Sequence, residues 1–145
     1  KGYYGGHADA YIPFGENLYY YDVNSLYPFV MKEYPMPRGK ARRIDFIEEE
    51  HLDTMLGFVL AYVECPTDIK RHFLPYRDAT GEDTFVMSYK ENIGVSPLDQ
   101  WKPHSNSAVQ LATAITASAR IHMYPYISRD DCYYTDTDSV VLSQP

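Results

Sequence analysis

The sequence predicts an α+β fold, an antiparallel sheet with helices packed on one face. Short runs rich in Tyr, Val and Thr recur near Tyr19, Phe58 and Tyr133, and this is strand composition. Apolar residues fall at helical spacing between Ala108 and Met123. Near the end of the chain, Asp136-Thr137-Asp138 interrupts a run of aromatic and β-branched residues, the pattern of a tight hairpin with carboxylates at its tip.

The size and composition of the chain bound what it can do. At 145 residues it can bury one core, and 45% hydrophobic with 23% charged residues is a globular balance. Fifteen tyrosines suit a cleft wall or a half-buried sheet, because the ring packs while the hydroxyl stays at a polar surface. No apolar run approaches the roughly 20 residues needed to cross a bilayer, and the N-terminus lacks the basic-then-apolar form of a secretion signal, so the sequence points to no membrane role. Cys65 and Cys132 have no CxxC partner and read as reduced, structural thiols, and the five histidines show no zinc-ligand spacing. The net charge of −7 argues against strong unaided binding to nucleic acid. Two local clusters run against it, Arg38 with Lys40, Arg42 and Arg43, and Lys70 with Arg71 and Arg77. Each reads equally as a phosphate contact or as a solvated face.

In chain order, residues 1–16 are rich in Gly and aromatics. Gly5-Gly6 there permits positive φ or a close approach by another backbone, including a nucleic-acid strand, and Ala8 to Pro13 looks extended. Leu18 to Val23 reads as a buried, central strand that ends at Asp22. Asn24 to Pro28 then turns the chain into a helix from Pro28 to about Glu33, where the missing N–H of a first-turn proline is not needed, and Pro35 and Pro37 stop it. Glu48 to Met55 reads as a short acidic helix. Phe58 to Cys65 is the clearest buried strand, closed by Pro66. Residues 67–83 look like loop, Phe85 to Tyr89 like a strand, and 90–104 like loop again. Ser105 or Asn106 is the expected N-cap of a packing helix that carries Ala108, Leu111, Ala112, Ile115, Ala119 and Met123 on its apolar stripe. Ser107, Thr113, Thr116 and Ser118 lie off the stripe, and Pro125 ends the helix.

Asp136 and Asp138 are spaced by one residue and point the same way if the pleat persists. Their repulsion is relieved by a cation or a proton. A solvated acidic turn explains the same spacing. Asp22, at a strand end just before a helix N-terminus, stands beside backbone donors suited to an anion. If the three carboxylates meet at one edge of a cleft, they suit Mg²⁺ bound together with substrate phosphates. Two such ions about 4 Å apart serve in-line phosphoryl transfer.

These stretches resemble a known family. Asp22-Val23-Asn24-Ser25-Leu26-Tyr27-Pro28 resembles the D-x-x-S-L-Y-P signature (motif A) of family B DNA polymerases. Tyr134-Thr135-Asp136-Thr137-Asp138-Ser139 resembles their Y-x-D-T-D-S signature (motif C). Tyr3-Tyr4-Gly5-Gly6 is similar to the Y-x-G-G element that joins exonuclease and polymerase domains in the protein-primed branch, which includes the polymerases of linear mitochondrial plasmids. The resemblance implies a palm-like sheet and a DNA-directed DNA polymerase acting on a primer-template and dNTP with two Mg²⁺ ions, Mn²⁺ being a substitute. A terminal protein would be a further partner and a mitochondrion the compartment. It further implies that Asp22, Asp136 and Asp138 are catalytic. Asp22 and Asp138 would be metal ligands, with the Val23 carbonyl assisting, and Asp136 a supporting acid. Ser25, Leu26 and Tyr27 would face the nucleotide, with the Tyr27 ring excluding a 2′-hydroxyl. Tyr3, Gly5, Gly6, Tyr134 and Thr137 would contact DNA, although core packing explains Tyr27 and Tyr134 as well.

The family pattern also includes a fingers helix with K-x-x-x-N-S-x-Y-G. Lys102, Asn106 and Ser107 match its offsets, but Val109 and Gln110 stand where Tyr and Gly belong, and Pro103 interrupts the helix. Only 30 positions separate Tyr76 from Asn106, where family members carry the fingers. The expected organisation is therefore a junction segment, 1–16, and a truncated palm, 17–145, with the fingers deleted near 79–84 and the thumb missing. Positioning of substrates is worth roughly 7 to 11 kcal/mol of barrier, so such a chain is expected to have little or no activity alone. The competing readings are a non-enzymatic remnant that folds or binds a partner, a metal-dependent nuclease and a two-carboxylate glycosidase.

Overall fold

The computed structural model describes residues 3–39, 42–44, 54–59, 64–71, 74–77, 83–85 and 108–145. Over these residues the chain folds as α+β, with a four-stranded antiparallel sheet and two helices. The strands of this sheet are β1 (Ala8–Ala10), β2 (Tyr19–Asp22), β5 (Cys132–Asp136) and β6 (Ser139–Leu142), in the order β1-β5-β6-β2. The helices are α1 (Leu26–Glu33) and α2 (Val109–Ile127). A separate two-stranded ladder, β3 (Pro75–Arg77) with β4 (Asp83–Phe85), forms at the end of the stretch expected to be loop, with Arg77 opposite Asp83.

The β5–β6 hairpin is the centre of the sheet, as its alternating Tyr, Thr and Val residues predict. Thr135 pairs with Val140 and Cys132 with Leu142, all four side chains buried. On this face Cys132, Val140 and Leu142 join Leu26 and Val30 of α1 and Ala119, Met123 and Ile127 of α2 in one hydrophobic core. Both helices thus cover the same face of the sheet. The other face is open, carrying Tyr134 and Asp136, Ser139 and Val141, and Tyr20 and Asp22 in adjacent rows.

Several expectations change. Among the described residues, the strand that ends at Asp22 is an edge strand and not a central one, and all four of its residues are exposed, Tyr20 at 66%. Strand composition reported its conformation correctly but not its burial, since a Tyr-rich edge keeps its hydroxyls in water. The run at Phe58 contributes no strand among the described residues: Phe58 and Val59 are exposed coil, and 60–63 lie outside them. So do most of the expected acidic helix, the expected N-cap at 105–106, and residues 86–104.

The first helix begins at Leu26, so Pro28 sits in its first turn. The second passes Pro125 and ends at Ile127, where Ser128 donates its N–H to the Tyr124 carbonyl at 2.9 Å. Pro125 is exposed, and so is Ile121, the residue whose carbonyl it leaves without a helical donor. Thr116, expected off the apolar stripe, is 5% exposed, and its hydroxyl donates to the Ala112 carbonyl at 3.1 Å, which makes burial tolerable.

The second basic cluster is structural where it is described. Arg71 donates to the carbonyls of Ile127, Arg129 and Cys132 and lies 4.3 Å from the Tyr11 ring centroid. These carbonyls end α2 and begin β5, so a cation placed there satisfies orphaned acceptors and opposes the helix dipole. Lys70 pairs with Asp130 at 2.6 Å. In the first cluster Arg38, Arg42 and Arg43 are exposed. Both cysteines are free thiols, Cys132 in the core and Cys65 half-buried. No described helix is long and apolar enough to cross a membrane.

Candidate active site

The site is assembled at one end of the open face. Asp136 lies opposite Ser139, and Ser139 lies opposite Asp22, so the three form one row across β5, β6 and β2. Cross-strand partners point to the same side of a sheet, so Asp22 and Asp136 face the same solvent, two strand spacings or about 10 Å apart. Ser139 between them is buried, and its hydroxyl donates to the Asp136 carbonyl at 3.1 Å.

Asp138 sits in the turn. Its carbonyl accepts the Val23 N–H at 2.8 Å, which joins the turn to the residue after Asp22 and brings the two acids onto neighbouring backbone. The tip is held from the other side too, where the Thr137 N–H donates to the His7 carbonyl at 2.7 Å. Thr137 has φ of 52°, a left-handed conformation costly for a β-branched residue. Its hydroxyl donates to Asp136 Oδ1 at 3.1 Å. Among the described residues no group of three or more acids, histidines or cysteines is gathered closely enough to hold a metal ion. The donor chemistry nevertheless fits Mg²⁺, which takes one or two carboxylates and completes its shell with water and substrate oxygens. Asp22 is exposed and Asp138 half-buried, which leaves room for those oxygens.

The turn between β2 and α1 lies beside this row. Ser25 is exposed in the left-handed conformation, φ 56°, and its side chain makes no cap hydrogen bond, so its hydroxyl is not used by the helix. Leu26 is 1% exposed in the core, so only its backbone can meet a ligand. Tyr27 is half-buried, and burial pushes its hydroxyl pKa up, with Tyr3 and Asp138 adding to the effect and Arg120 opposing it. Tyr134 lies on the open face at 39% exposure, outside the core, with its hydroxyl 3.5 Å from Asp136 Oδ2.

For Gly5 and Gly6 the sequence offered positive φ or a close approach by another backbone. Neither has positive φ. A Cβ on Gly6 would lie 2.2 Å from Thr137 Oγ1, so the close approach is by the hairpin tip. Arg120, which the motifs do not include, donates to the Gly5 carbonyl from Nε at 3.1 Å and Nη2 at 2.7 Å. The available signal was a single Arg in an otherwise uncharged helix that contains no acid to pair with it.

Residues 1–95 match the family described as DNA polymerase type B, organellar and viral. The chain is 35% identical over 107 residues to a protein of Neurospora intermedia described as "Probable DNA polymerase", covering 69% of this chain and 10% of that one. Proteins of the same description from Podospora anserina and Ascobolus immersus are 50% identical over 56 residues and 39% identical over 70. These matches cover 39% and 48% of this chain, and 5% and 6% of those proteins. The chain thus spans a tenth or less of the length of these relatives. No solved structure matches it.

Proposed function

The chain belongs to the type B DNA polymerases of organelles and viruses, and from that premise we propose that its four-stranded sheet is the palm of a DNA-directed DNA polymerase, bearing the acids for nucleotidyl transfer from dNTP to a primer 3′-hydroxyl. One observation carries the reading. Two stretches far apart in sequence, the end of β2 and the β5–β6 turn, meet with Asp22 opposite Ser139 and Val23 bonded to Asp138.

Asp22 and Asp138, with the Val23 carbonyl, would hold Mg²⁺, and Asp136 supports them from the neighbouring strand. Bound there, the metal supplies charge stabilisation and an activated attacking oxygen. The exposed Ser25 hydroxyl and the first amides of α1 suit the triphosphate, because a helix N-terminus favours an anion. The ring of Tyr27 closes the sugar pocket against a 2′-hydroxyl. Tyr20 and Tyr134 on the open face offer rings for stacking against nucleic acid. An organellar location is proposed on the family's description alone.

The chain alone should extend primers little or not at all, because orientation of both substrates carries much of the barrier reduction, roughly 7 to 11 kcal/mol. Titration with Mn²⁺ in the presence of dATP tests the site. Wild type should bind the ion, and Asp22→Ala and Asp138→Ala should each weaken binding by about tenfold or more. Equal binding by all three proteins would overturn the site. Primer extension with Mg²⁺ and four dNTPs tests the rest: templated synthesis that Asp22→Ala abolishes would overturn the low activity.

A further inference from the structure

The tip of the β5–β6 hairpin is a strained turn held by groups outside it. Thr137 adopts φ of 52°, and such a conformation in a β-branched residue persists only where the surroundings over-determine it. Its N–H is taken by the His7 carbonyl at 2.7 Å, and its side chain fills the space that a Cβ on Gly6 would need. Residues 5–7 are therefore the mould in which the turn is set.

Something must in turn hold that mould, because β1 begins only at Ala8 and Gly5-Gly6 carries no side chain to pack. Arg120 does so. It stands on α2, the long helix of the core, with Ala119 on one side and Met123 a turn later both buried. Its half-buried guanidinium donates twice to the Gly5 carbonyl and lies 5.7 Å from the Tyr4 ring centroid. A planar fork giving two charge-assisted bonds to one oxygen fixes that peptide in direction as well as distance.

We propose that Arg120 is a positioning residue: through the Gly5 carbonyl it holds Gly6 and His7 against Thr137, and so fixes the turn that carries Asp136 and Asp138. The consequence for catalysis rests on the palm reading above, whereas the latch itself does not. The chain of contacts runs from the core helix to the N-terminal segment, to the hairpin tip, and on through the Asp138 carbonyl to Val23 beside Asp22.

Amide hydrogen exchange at Thr137, read against Val140 and Leu142 in β6 and combined with Mn²⁺ affinity, tests this in the 145-residue chain. In Arg120→Ala, exchange at Thr137 should quicken about tenfold or more while the two reference amides stay within about twofold, and Mn²⁺ should bind more weakly. Arg120→Lys, which keeps the charge but not the fork, should fall between. Unchanged exchange at Thr137 overturns the latch. Quickened exchange with unchanged Mn²⁺ affinity overturns the positioning role. If wild type binds no Mn²⁺, the palm reading fails, while Thr137 exchange still decides the latch. A second pair guards against global unfolding of the Arg120 variants. Gly6→Ala should quicken exchange at position 137, and Gly6→Ala with Thr137→Gly should restore it, because glycine removes all three atoms that the new Cβ would meet and accepts positive φ. Failure of the double variant to restore protection overturns the proposal.

Discussion

Arginines do structural work at two points of this small molecule, and both act on backbone carbonyls. Arg71 gathers the carbonyls at the end of α2 and the start of β5, with Tyr11 stacked beneath it. Removing it leaves several half-buried acceptors without a charged donor. Arg71→Ala should therefore destabilise the chain by about 2 to 4 kcal/mol, read from the denaturant midpoint, and Arg71→Lys should recover only part, because an ammonium lacks the planar fork. The sequence shows Arg71 merely as one of three basic residues in a loose cluster, and its role depends on carbonyls more than fifty positions away. Gly6 is similar: its neighbour Thr137 comes from the far end of the chain, and a Gly-Gly pair by itself reports only that something needs room.

Among the elements, α2 was legible as a helix because alanine, leucine and methionine recur at its period, but its end was not. Pro125 is a stop signal in isolation, yet the helix runs on through it to Ile127. Local preference loses here because Met123 and Ile127 are both buried in the core, and burying an Ile side chain is worth about 1.5 to 3 kcal/mol. Pro125→Ala restores the missing N–H without disturbing that packing, since the position is exposed. It should raise stability by about 1 kcal/mol, measured as an upward shift of the denaturant midpoint with unchanged slope. The hairpin of β5 and β6 was legible to its tip, since period-two alternation and a polar interruption specify both strands and turn. Strand β2 was legible as a strand but not as an edge.

Across the whole molecule, polar contacts tie the N-terminal segment to the hairpin and to the second helix, and His7, which titrates, stands among them. Burial holds the His7 imidazole below its ordinary range, reinforced by Arg120 and partly opposed by Asp9. Its ring bonds to the Tyr11 hydroxyl at 2.7 Å, and its carbonyl holds the hairpin tip. The unfolded chain therefore takes up this proton first, so stability should be full above about pH 6.5 and decline as pH falls toward the folded value. A second loss should follow below about pH 4, where Asp130 and Asp131, held low by hydrogen bonds from Lys70 and Arg129, become protonated. Denaturation curves from pH 8 to 3 should show both steps, and His7→Gln should remove the first alone.

The sequence by itself determined the lineage, the α+β class and the central hairpin, and it singled out the acids of the proposed site. Local pattern and short motifs carry that information because strand alternation, helix period and residue chemistry are each written within a few positions. Only the tertiary structure decided that β2 lies at an edge among the described residues, that Leu26 belongs to the core, that the Asp138 carbonyl bonds to Val23 beside Asp22, and that Arg120 holds the Gly5 carbonyl behind the turn that carries Asp136 and Asp138. Each of these is a relation between residues far apart in the chain. Burial and hydrogen-bond pairing are settled by what the folded backbone brings near, and no local window of sequence contains it.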